Sequence, residues 1–445
     1  MKPASNGWLW AGARLLGVPF VGRALVAVAS GGVQFPVRGA GALAAREPEG
    51  EQPDGSPFVP GTERPLPLAS VPEEGAPPLA ADPVVVKDSI DVLGLRTCMG
   101  LADGGPIPYR DATIIARIRD AGGHILAKTV MTELGLDGVG VLTPTPPPRN
   151  PRAPGYAPGG SSTGTAVAIA RGLARWGLAG DGLGSVRIPA AYCGLVGLKP
   201  GMGSVPLDGY PSPAPSHDVP GPIARTVADC ATLWQIIAGQ APRALTAQTP
   251  PRVATIRQLP ASIAAPSVQA ALSRALAALR AAGVELDEVD VPGADRATIL
   301  GALGAAHELS QTGYAARRLT PAGKLTVALG RAISADDARR LATQRAALTD
   351  ALARAFDRAP ILVMPTSAIP APALSSALLD GAQDGILLRA IGAYTPLANV
   401  TGAAAIAIPS GADDRGRPLS IMLMAPAGDE HALLRAALVV ESAAC

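Results

Sequence analysis

Short apolar runs alternate with alanine-rich amphipathic segments along most of the chain, and this pattern predicts the secondary structure. Runs with the length of buried strands occur at 83–88, 125–129, 177–179, 361–365 and 404–409. Segments with helical spacing of apolar positions occur at 113–121, 161–176, 185–192, 265–285 and 335–357. Buried strands that alternate with helices are typical of an α/β fold whose sheet is covered by helices on both faces.

The pattern also divides the chain. Residues 1–40 form an apolar N-terminal segment that we expect to be helical, residues 41–82 are a linker rich in Pro, Glu and Gly, and residues 83–445 carry the alternating pattern. The N-terminal apolar stretch is interrupted by arginines and a proline, so we do not expect it to span a membrane. The simpler interpretation is that residues 1–40 form one or two helices, packed on the domain or on a partner protomer. The alternative is a contact with a membrane surface through Trp8, Trp10 and Phe20.

Composition limits the classes of ligand that we expect. The 445 residues carry a net charge of +2 and no basic run interleaved with aromatics, so we expect a small-molecule ligand and no nucleic acid. Four cysteines lie far apart without a CxxC pair, which predicts no metal site, no disulfide framework and a cytoplasmic location. We expect no cofactor. The sequence leaves open whether the protein forms a homo-oligomer.

Two glycine-rich turns carry the candidate chemistry. Ser161 and Ser162 follow a glycine pair in 159–164, and Ser185 ends the glycine-rich segment 180–185. Glycine allows positive φ and a close approach to a ligand, so such serines are exposed and lie beside bare amide groups. These are the components of a nucleophile and an oxyanion hole.

A serine nucleophile needs a base, and the chain offers two kinds. Among its four histidines, only His217 lies in a loop that could reach such a site. Lys87 ends the predicted strand 83–88, where burial would disfavour its charged form. Its pKa must fall from about 10.4 towards 7 or 8, at about 1.36 kcal/mol per unit. We favour Lys87 as the base; its structural alternative is an ordinary strand end paired with Asp88.

The segments 83–94 (PVVVKDSIDVLG), 159–164 (GGSSTG) and 181–200 (DGLGSVRIPAAYCGLVGLKP) resemble the amidase signature family of Ser-cisSer-Lys hydrolases. The similarity continues through 216–229, 363–370 and 396–409 and spans roughly residues 83–440. It implies a single large α/β domain with a mixed, twisted sheet covered by helices on both faces.

The resemblance also implies roles for single residues. By motif, Lys87, the cis-peptide serine Ser161 and the nucleophile Ser185 form one proton relay. The oxyanion of the tetrahedral intermediate would be held by backbone N–H groups, and water would then release the acyl-enzyme as a carboxylic acid. The predicted N–H donors are those of Gly182, Leu183, Gly184 and Ser185.

Supporting roles are predicted beside the relay. Ser162 follows the cis-peptide serine, and Asp181 and Arg187 flank the Ser185 loop. We expect these two to form a buried ion pair that fixes the loop. Lys128 resembles a recurrent strand position of the family and is interpreted as structural.

The sequence departs from the family pattern at three positions. Thr163 and Leu183 stand where glycines are usual, and Gly180 replaces a common threonine. A leucine at positive φ would be strained by about 1–3 kcal/mol, so we expect an altered loop shape. Lowered or redirected activity is the alternative that these departures leave open.

The substrate pocket is expected within 290–395, where the similarity is weakest. The predicted walls are mostly apolar and suit an aliphatic or aryl amide: Ile299, Leu300, Leu303, Leu309, Tyr314, Leu388 and Tyr394. The predicted function is hydrolysis of a small carboxamide or ester. The alternatives are an amidotransferase subunit that frees ammonia from glutamine within a complex, and a relative that has lost hydrolysis and serves a biosynthetic partner.

Overall fold

The computed structural model describes residues 40–49, 54–64, 77–80, 82–259, 261–381 and 385–444. Its ten strands form one mixed sheet. They are β1 (Pro83–Lys87), β2 (His124–Thr129), β3 (Trp176–Asp181), β4 (Val196–Lys199), β5 (Val219–Ala224), β6 (Arg252–Ile256), β7 (Glu285–Val289), β8 (Ile361–Pro365), β9 (Ala404–Ala412) and β10 (Pro418–Ala425).

The described helices surround this sheet. They are α1 (Ala40–Ala44), α2 (Thr113–Asp120), α3 (Thr163–Ala170), α4 (Arg187–Tyr192), α5 (Val227–Ile237), α6 (Pro266–Ala281), α7 (Ala297–Ser310), α8 (Pro321–Ala332), α9 (Ala335–Arg358), α10 (Ser376–Leu379), α11 (Gly385–Ile391), α12 (Pro396–Thr401) and α13 (Glu430–Ala444). Among the described helices, none combines the length and the apolarity that a membrane crossing requires.

The strand order is β2-β1-β3-β5-β4-β9-β10-β8-β6-β7. The strands β2, β1 and β3 run parallel at one edge, as do β8, β6 and β7 at the other, and the pairs between these groups are antiparallel. Because β1 and β3 are parallel neighbours, their carboxyl ends meet. This brings Lys87, at the end of β1, beside the end of β3.

Alternation along the central strands builds a core on each face of the sheet. In β10, Ile421 and Leu423 belong to one apolar cluster, and Met422 and Met424 belong to the other. Successive side chains of a strand point to opposite faces, so a strand that is buried on both sides must be apolar throughout. The predicted fold, a single mixed α/β sheet between helices, is confirmed.

Several predicted boundaries shift near the serine turns. The helix predicted over 161–176 is wrong at both ends, because α3 begins at Thr163 and ends at Ala170. Gly172 follows at φ +77°, a left-handed conformation that stops a helix, and Trp176 already belongs to β3. The next predicted helix, 185–192, begins at Arg187.

Parts of the predicted linker pack on the domain. Phe58 forms a β-bridge with Thr129, and the Glu49 N–H donates to the Leu374 carbonyl at 2.9 Å. The membrane contact proposed for Trp8, Trp10 and Phe20 lies outside the described residues. The domain boundaries at 40 and 82 stay a prediction.

Candidate active site

Lys87 enters the site from the carboxyl end of β1. Its side chain is buried, and Nζ donates to Ser161 Oγ at 2.7 Å and to the Gly180 carbonyl at 3.2 Å. Burial lowers the pKa of Lys87 to about 8, against the opposing charges of Asp218 and Asp181. A lysine with this pKa is partly neutral near pH 8 and can accept a proton from a neighbouring hydroxyl.

Ser161 is fixed by the loop that precedes α3. The Gly160–Ser161 peptide bond is cis, as the resemblance implies. Gly159 and Gly160 donate their N–H groups to the Val139 and Gly138 carbonyls, at 3.1 and 2.9 Å. The supporting Ser162 hydroxyl donates to the Gly180 carbonyl at 3.3 Å, which ties Ser162 to the end of β3, and both serines are buried and not exposed as predicted.

Thr163 completes this loop. Its hydroxyl donates to the Gly159 carbonyl at 2.9 Å and to the Gly140 carbonyl at 3.3 Å. The threonine that departs from the family pattern therefore adds hydrogen bonds to the turn that presents Ser161.

Ser185 lies on the second loop and lines the same cavity as Lys87 and Ser161. Among the hydrogen bonds of the described residues, none involves the Ser185 hydroxyl. The Ser161–Ser185 contact of the predicted relay is therefore not formed as a hydrogen bond here. In structures without substrate, catalytic hydrogen bonds are often long or misaligned and tighten when substrate binds.

The loop from Gly182 to Ser185 avoids the strain that a leucine at positive φ would cause. Positive φ falls on Gly184 (+128°), and Leu183 is not among the residues with positive φ. The Thr395 hydroxyl holds the Leu183 carbonyl at 2.9 Å. A side chain at 184 would lie 2.4 Å from Thr395 Oγ1, so the glycine is also required by packing.

One predicted oxyanion donor is already engaged. The Gly184 N–H donates to Asp181 Oδ1 at 2.7 Å, so Gly184 does not serve as a free donor. The backbone N–H groups of Gly182, Leu183 and Ser185 remain as candidate donors.

The predicted ion pair between Asp181 and Arg187 is present and fully buried. Arg187 binds Asp181 through Nε and Nη2, both at 2.9 Å, and Asn399 Nδ2 donates to the same carboxylate at 2.9 Å. Burial raises the pKa of Asp181, but Arg187 and Asn399 outweigh it and hold that pKa far below its usual range. The carboxylate is thus charged and anchors the loop through its hydrogen bonds.

The third departure, Gly180, has a steric explanation. A Cβ added at Gly180 would lie 1.8 Å from the Tyr210 hydroxyl oxygen. Tyr210 therefore occupies the space that a side chain at 180 would need.

The cavity in front of these groups has a volume of about 560 Å³. Its walls are mostly apolar, and three of the predicted wall residues line it: Ile299, Leu309 and Leu388. The other four predictions are wrong. Leu300, Leu303 and Tyr394 are buried in the core, and the Tyr314 hydroxyl donates to the Pro211 carbonyl.

The packing decides two questions that the sequence left open: whether His217 can be the base, and whether Asp88 pairs with Lys87. His217 lies outside the cavity, with Nδ1 2.8 Å from Ser216 Oγ and 3.2 Å from Glu308 Oε1. Asp88 lies 3.7 Å from Lys128 Nζ, so it is the partner of Lys128 and not of Lys87.

Sequence reasoning missed four groups around the site. Asp218 and Tyr210 line the cavity, and Thr395 and Asn399 hold the Ser185 loop. The last two stand in or just before the family-like segment 396–409, whose polar residues on an apolar background were the available signal. Among the described residues, no cluster of three His, Cys, Asp or Glu side chains is arranged to hold a metal ion.

Comparisons with known proteins agree with this geometry. The Amidase family model matches residues 68–434. A Glutamyl-tRNA(Gln) amidotransferase subunit of Thermus thermophilus is 33% identical over 411 residues, which cover 82% of this chain and 85% of the relative.

Solved structures are similar over comparable lengths. The peptide amidase of Stenotrophomonas maltophilia superposes with a TM-score of 0.67 at 26% identity, over 82% of this chain and 83% of that one. A 6-aminohexanoate cyclic dimer hydrolase superposes with a TM-score of 0.70 at 26% identity, over 82% and 85% of the two chains.

Proposed function

Because this chain belongs to the amidase family, whose members cleave carbon–nitrogen bonds, we propose that it hydrolyses a small, mainly apolar carboxamide or ester to a carboxylic acid and ammonia, an amine or an alcohol. The observation that carries the proposal is the 2.7 Å hydrogen bond between Lys87 Nζ and Ser161 Oγ, at the edge of a cavity that Ser185 also lines. The apolar walls of that cavity favour an aliphatic or aryl substrate.

The proposed reaction proceeds through an acyl-enzyme. Ser185 Oγ attacks the carbonyl carbon while its proton passes to Ser161 Oγ, and the Ser161 proton passes to Lys87 Nζ. The carbonyl oxygen takes up the electron pair and is held by N–H groups of the Ser185 loop. The relay then returns a proton to the leaving group, and water releases the acid by the same steps.

The arrangement of the second loop supports this assignment. Asp181 fixes Gly184, and Arg187 and Asn399 fix Asp181, so the loop is held without substrate. Donors that are fixed in advance cost no reorganisation when charge develops on the oxygen. A cytoplasmic location, expected from the cysteine pattern, is part of the proposal.

Labelling with a fluorophosphonate probe tests the proposed nucleophile. The wild-type protein should be labelled at Ser185, as located by peptide mass spectrometry, whereas Ser185→Ala should not be labelled and Lys87→Met should be labelled only slowly. Ser273→Ala, on the exposed side of α6 and away from the cavity, is the matched serine control for the mass shift. A folded wild-type protein that is not labelled at any pH between 6 and 10 would contradict the proposal.

An amidotransferase-type subunit is the second candidate. The similarity to the Thermus thermophilus protein, over 82% of this chain, favours it. A stand-alone amidase should release ammonia from a panel of primary carboxamides as a purified protein. A subunit should release ammonia from glutamine and gain activity only with its partners, so gel filtration combined with that panel distinguishes the two.

A further inference from the structure

Asp218 is a half-buried acidic residue at the cavity that the proposed relay does not use. Its Oδ1 accepts a hydrogen bond from the Tyr210 hydroxyl at 2.8 Å, and its Oδ2 accepts one from the Ser212 hydroxyl at 2.7 Å. Among the ion pairs of the described residues, none includes Asp218. Two neutral hydroxyls therefore hold a half-buried carboxylate that has no cation in direct contact.

The Tyr210–Asp218 pair packs against the backbone that carries the relay. The Tyr210 hydroxyl lies against Gly180, whose carbonyl accepts the Lys87 hydrogen bond. The Asp218 Cγ would be 3.4 Å from a Cβ at Gly182, which places the carboxylate against the first residue of the Ser185 loop. The pair thus borders the loop and the residue whose carbonyl binds Lys87.

The charges around Lys87 single out Asp218. The negative charges of Asp218 and Asp181 raise the pKa of Lys87, and the phenol of Tyr210 lies near both carboxylates. Asp181 is neutralised by Arg187, whereas Asp218 is not neutralised by direct contact. Burial raises the pKa of Asp218, and the nearby Lys87 lowers it, so the two groups are electrostatically coupled.

We propose that Asp218 is a positioning residue that supports the positive charge Lys87 gains when the relay delivers a proton. The inference rests on the proposed function. As the bond from Ser185 Oγ to the carbonyl carbon forms, the relay creates one oxyanion and one ammonium. A carboxylate that lines the same cavity stabilises the ammonium by charge attraction, without the direct hydrogen bond that the aspartate of a Ser-His-Asp triad makes to its histidine.

The charge state of Lys87 can be measured directly. The sequence contains five lysines, Lys2, Lys87, Lys128, Lys199 and Lys324, so selective ¹⁵N-lysine labelling gives five side-chain signals. Lys87→Met identifies the relevant signal. In Asp218→Asn, the titration midpoint of Lys87 should fall by about one pH unit or more, because the carboxylate favours the ammonium. Asp218→Glu should restore the midpoint, and Asp350→Asn, on the exposed side of α9, should leave it unchanged.

Kinetics give the second readout. In Asp218→Asn, the acidic limb of the pH profile for kcat/KM, or for fluorophosphonate labelling, should move to lower pH with the Lys87 midpoint. The plateau value of kcat should fall by about 10- to 100-fold. A merely structural role would lower the amount of active protein without moving the acidic limb.

The outcomes separate the two proposals. An unchanged Lys87 midpoint in Asp218→Asn, or in the second neutral variant Asp218→Ser, overturns the role of Asp218. Unfolding of both neutral variants, read by circular dichroism, also overturns it, because Asp218 would then be a structural residue. A wild-type protein that neither hydrolyses amides nor labels at Ser185 overturns the proposed function, whereas the NMR titration still reports the coupling of Asp218 to Lys87.

Discussion

Two buried lysines on neighbouring strands show what separates a candidate catalytic amine from a structural one. In the β1–β2 pairing, Lys128 is the register partner of Val86, one residue before Lys87. Lys128 Nζ donates to the Ile90 carbonyl at 2.6 Å and to Thr97 Oγ1 at 3.2 Å, and lies 3.7 Å from Asp88. Lys87 instead donates to a serine hydroxyl at the edge of a cavity.

Burial alone does not distinguish the two sites. It lowers the pKa of both lysines, and it also lowers that of Lys199, to about 7, with Arg187 acting in the same direction. Lys199 donates to the Pro200 carbonyl and does not line the cavity. A lowered pKa becomes useful for chemistry only where the amine contacts a hydroxyl that can give up its proton and where substrate can enter.

Replacing each lysine by methionine should produce the largest contrast. Lys87→Met removes the proposed base and should lower kcat/KM by at least about 10⁴-fold, as in relays whose members act as a unit. Lys128→Met should keep kcat within about tenfold of wild type, measured per labelled active site. A comparable loss of activity in folded Lys128→Met would remove the distinction between the two lysines.

For stability, Lys128→Met should be the more damaging of the two substitutions. Lys128→Met leaves the Asp88 carboxylate buried without its partner, and the free energy of unfolding should fall by about 3–5 kcal/mol. Lys87→Met should be at least as stable as wild type, because it removes the cost of burying an amine. Urea unfolding at pH 7 measures both values. Asp88→Asn added to Lys128→Met should recover part of the loss, and equal losses in the two single variants would contradict the comparison.

The sequence indicated the relay more completely than its surroundings. Glycine-rich turns and a strand end indicated the two serines and Lys87, the resemblance to the amidase signature family assigned Lys87, Ser161 and Ser185 their roles, and the structure brings all three to one cavity. Five of the ten strands also followed from the apolar pattern, because buried strands must be apolar whatever packs on them, whereas the mixed sheet was implied by the resemblance. The identity of the reacting groups is local, and a single sequence records it.

What the sequence could not supply depends on contacts between distant segments. The Gly184 N–H was expected to be free, yet it is taken by Asp181. Thr395, 212 residues after Leu183, fixes the loop shape through one hydrogen bond. The predicted helix at 161–176 was too long, because its helical spacing continued past the glycine that ends α3. No local pattern encodes which side chain fills a neighbouring space, as Tyr210 does beside Gly180.

The pH dependence of kcat/KM and of stability should further distinguish Lys87 from a structural lysine. If neutral Lys87 is the base, kcat/KM should rise about tenfold per pH unit below pH 8 and level off above it, because the pKa of Lys87 is about 8. Unfolding releases this lysine to its ordinary pKa of 10.5, so the unfolded chain binds more protons between pH 8 and 10.5. Lys87 should therefore make the free energy of unfolding increase with pH between pH 8 and 10.5. Lys87→Met should abolish this contribution in urea titrations, and a slope unchanged from wild type would contradict the lowered pKa.

The smallest effects should come from the hydroxyl groups that support each lysine site. Thr163 donates to the Gly159 carbonyl in the loop that presents Ser161, whereas Thr97 accepts from Lys128 and donates to Asp91 at 2.6 Å. One neutral hydrogen bond contributes about 1 kcal/mol, which corresponds to a factor of about five. Thr163→Val should lower kcat about fivefold, because the loop holds Ser161 less firmly against Lys87. Thr97→Val removes hydrogen bonds to a carboxylate and to a lysine amine, so it should lower the free energy of unfolding by about 1.5–3 kcal/mol, measured by urea unfolding, and change kcat less than twofold, measured by active-site titration with the same substrate. Equal losses of kcat in the two variants would mean that both lysine sites support the reaction, and the difference in their surroundings would then lose its functional meaning.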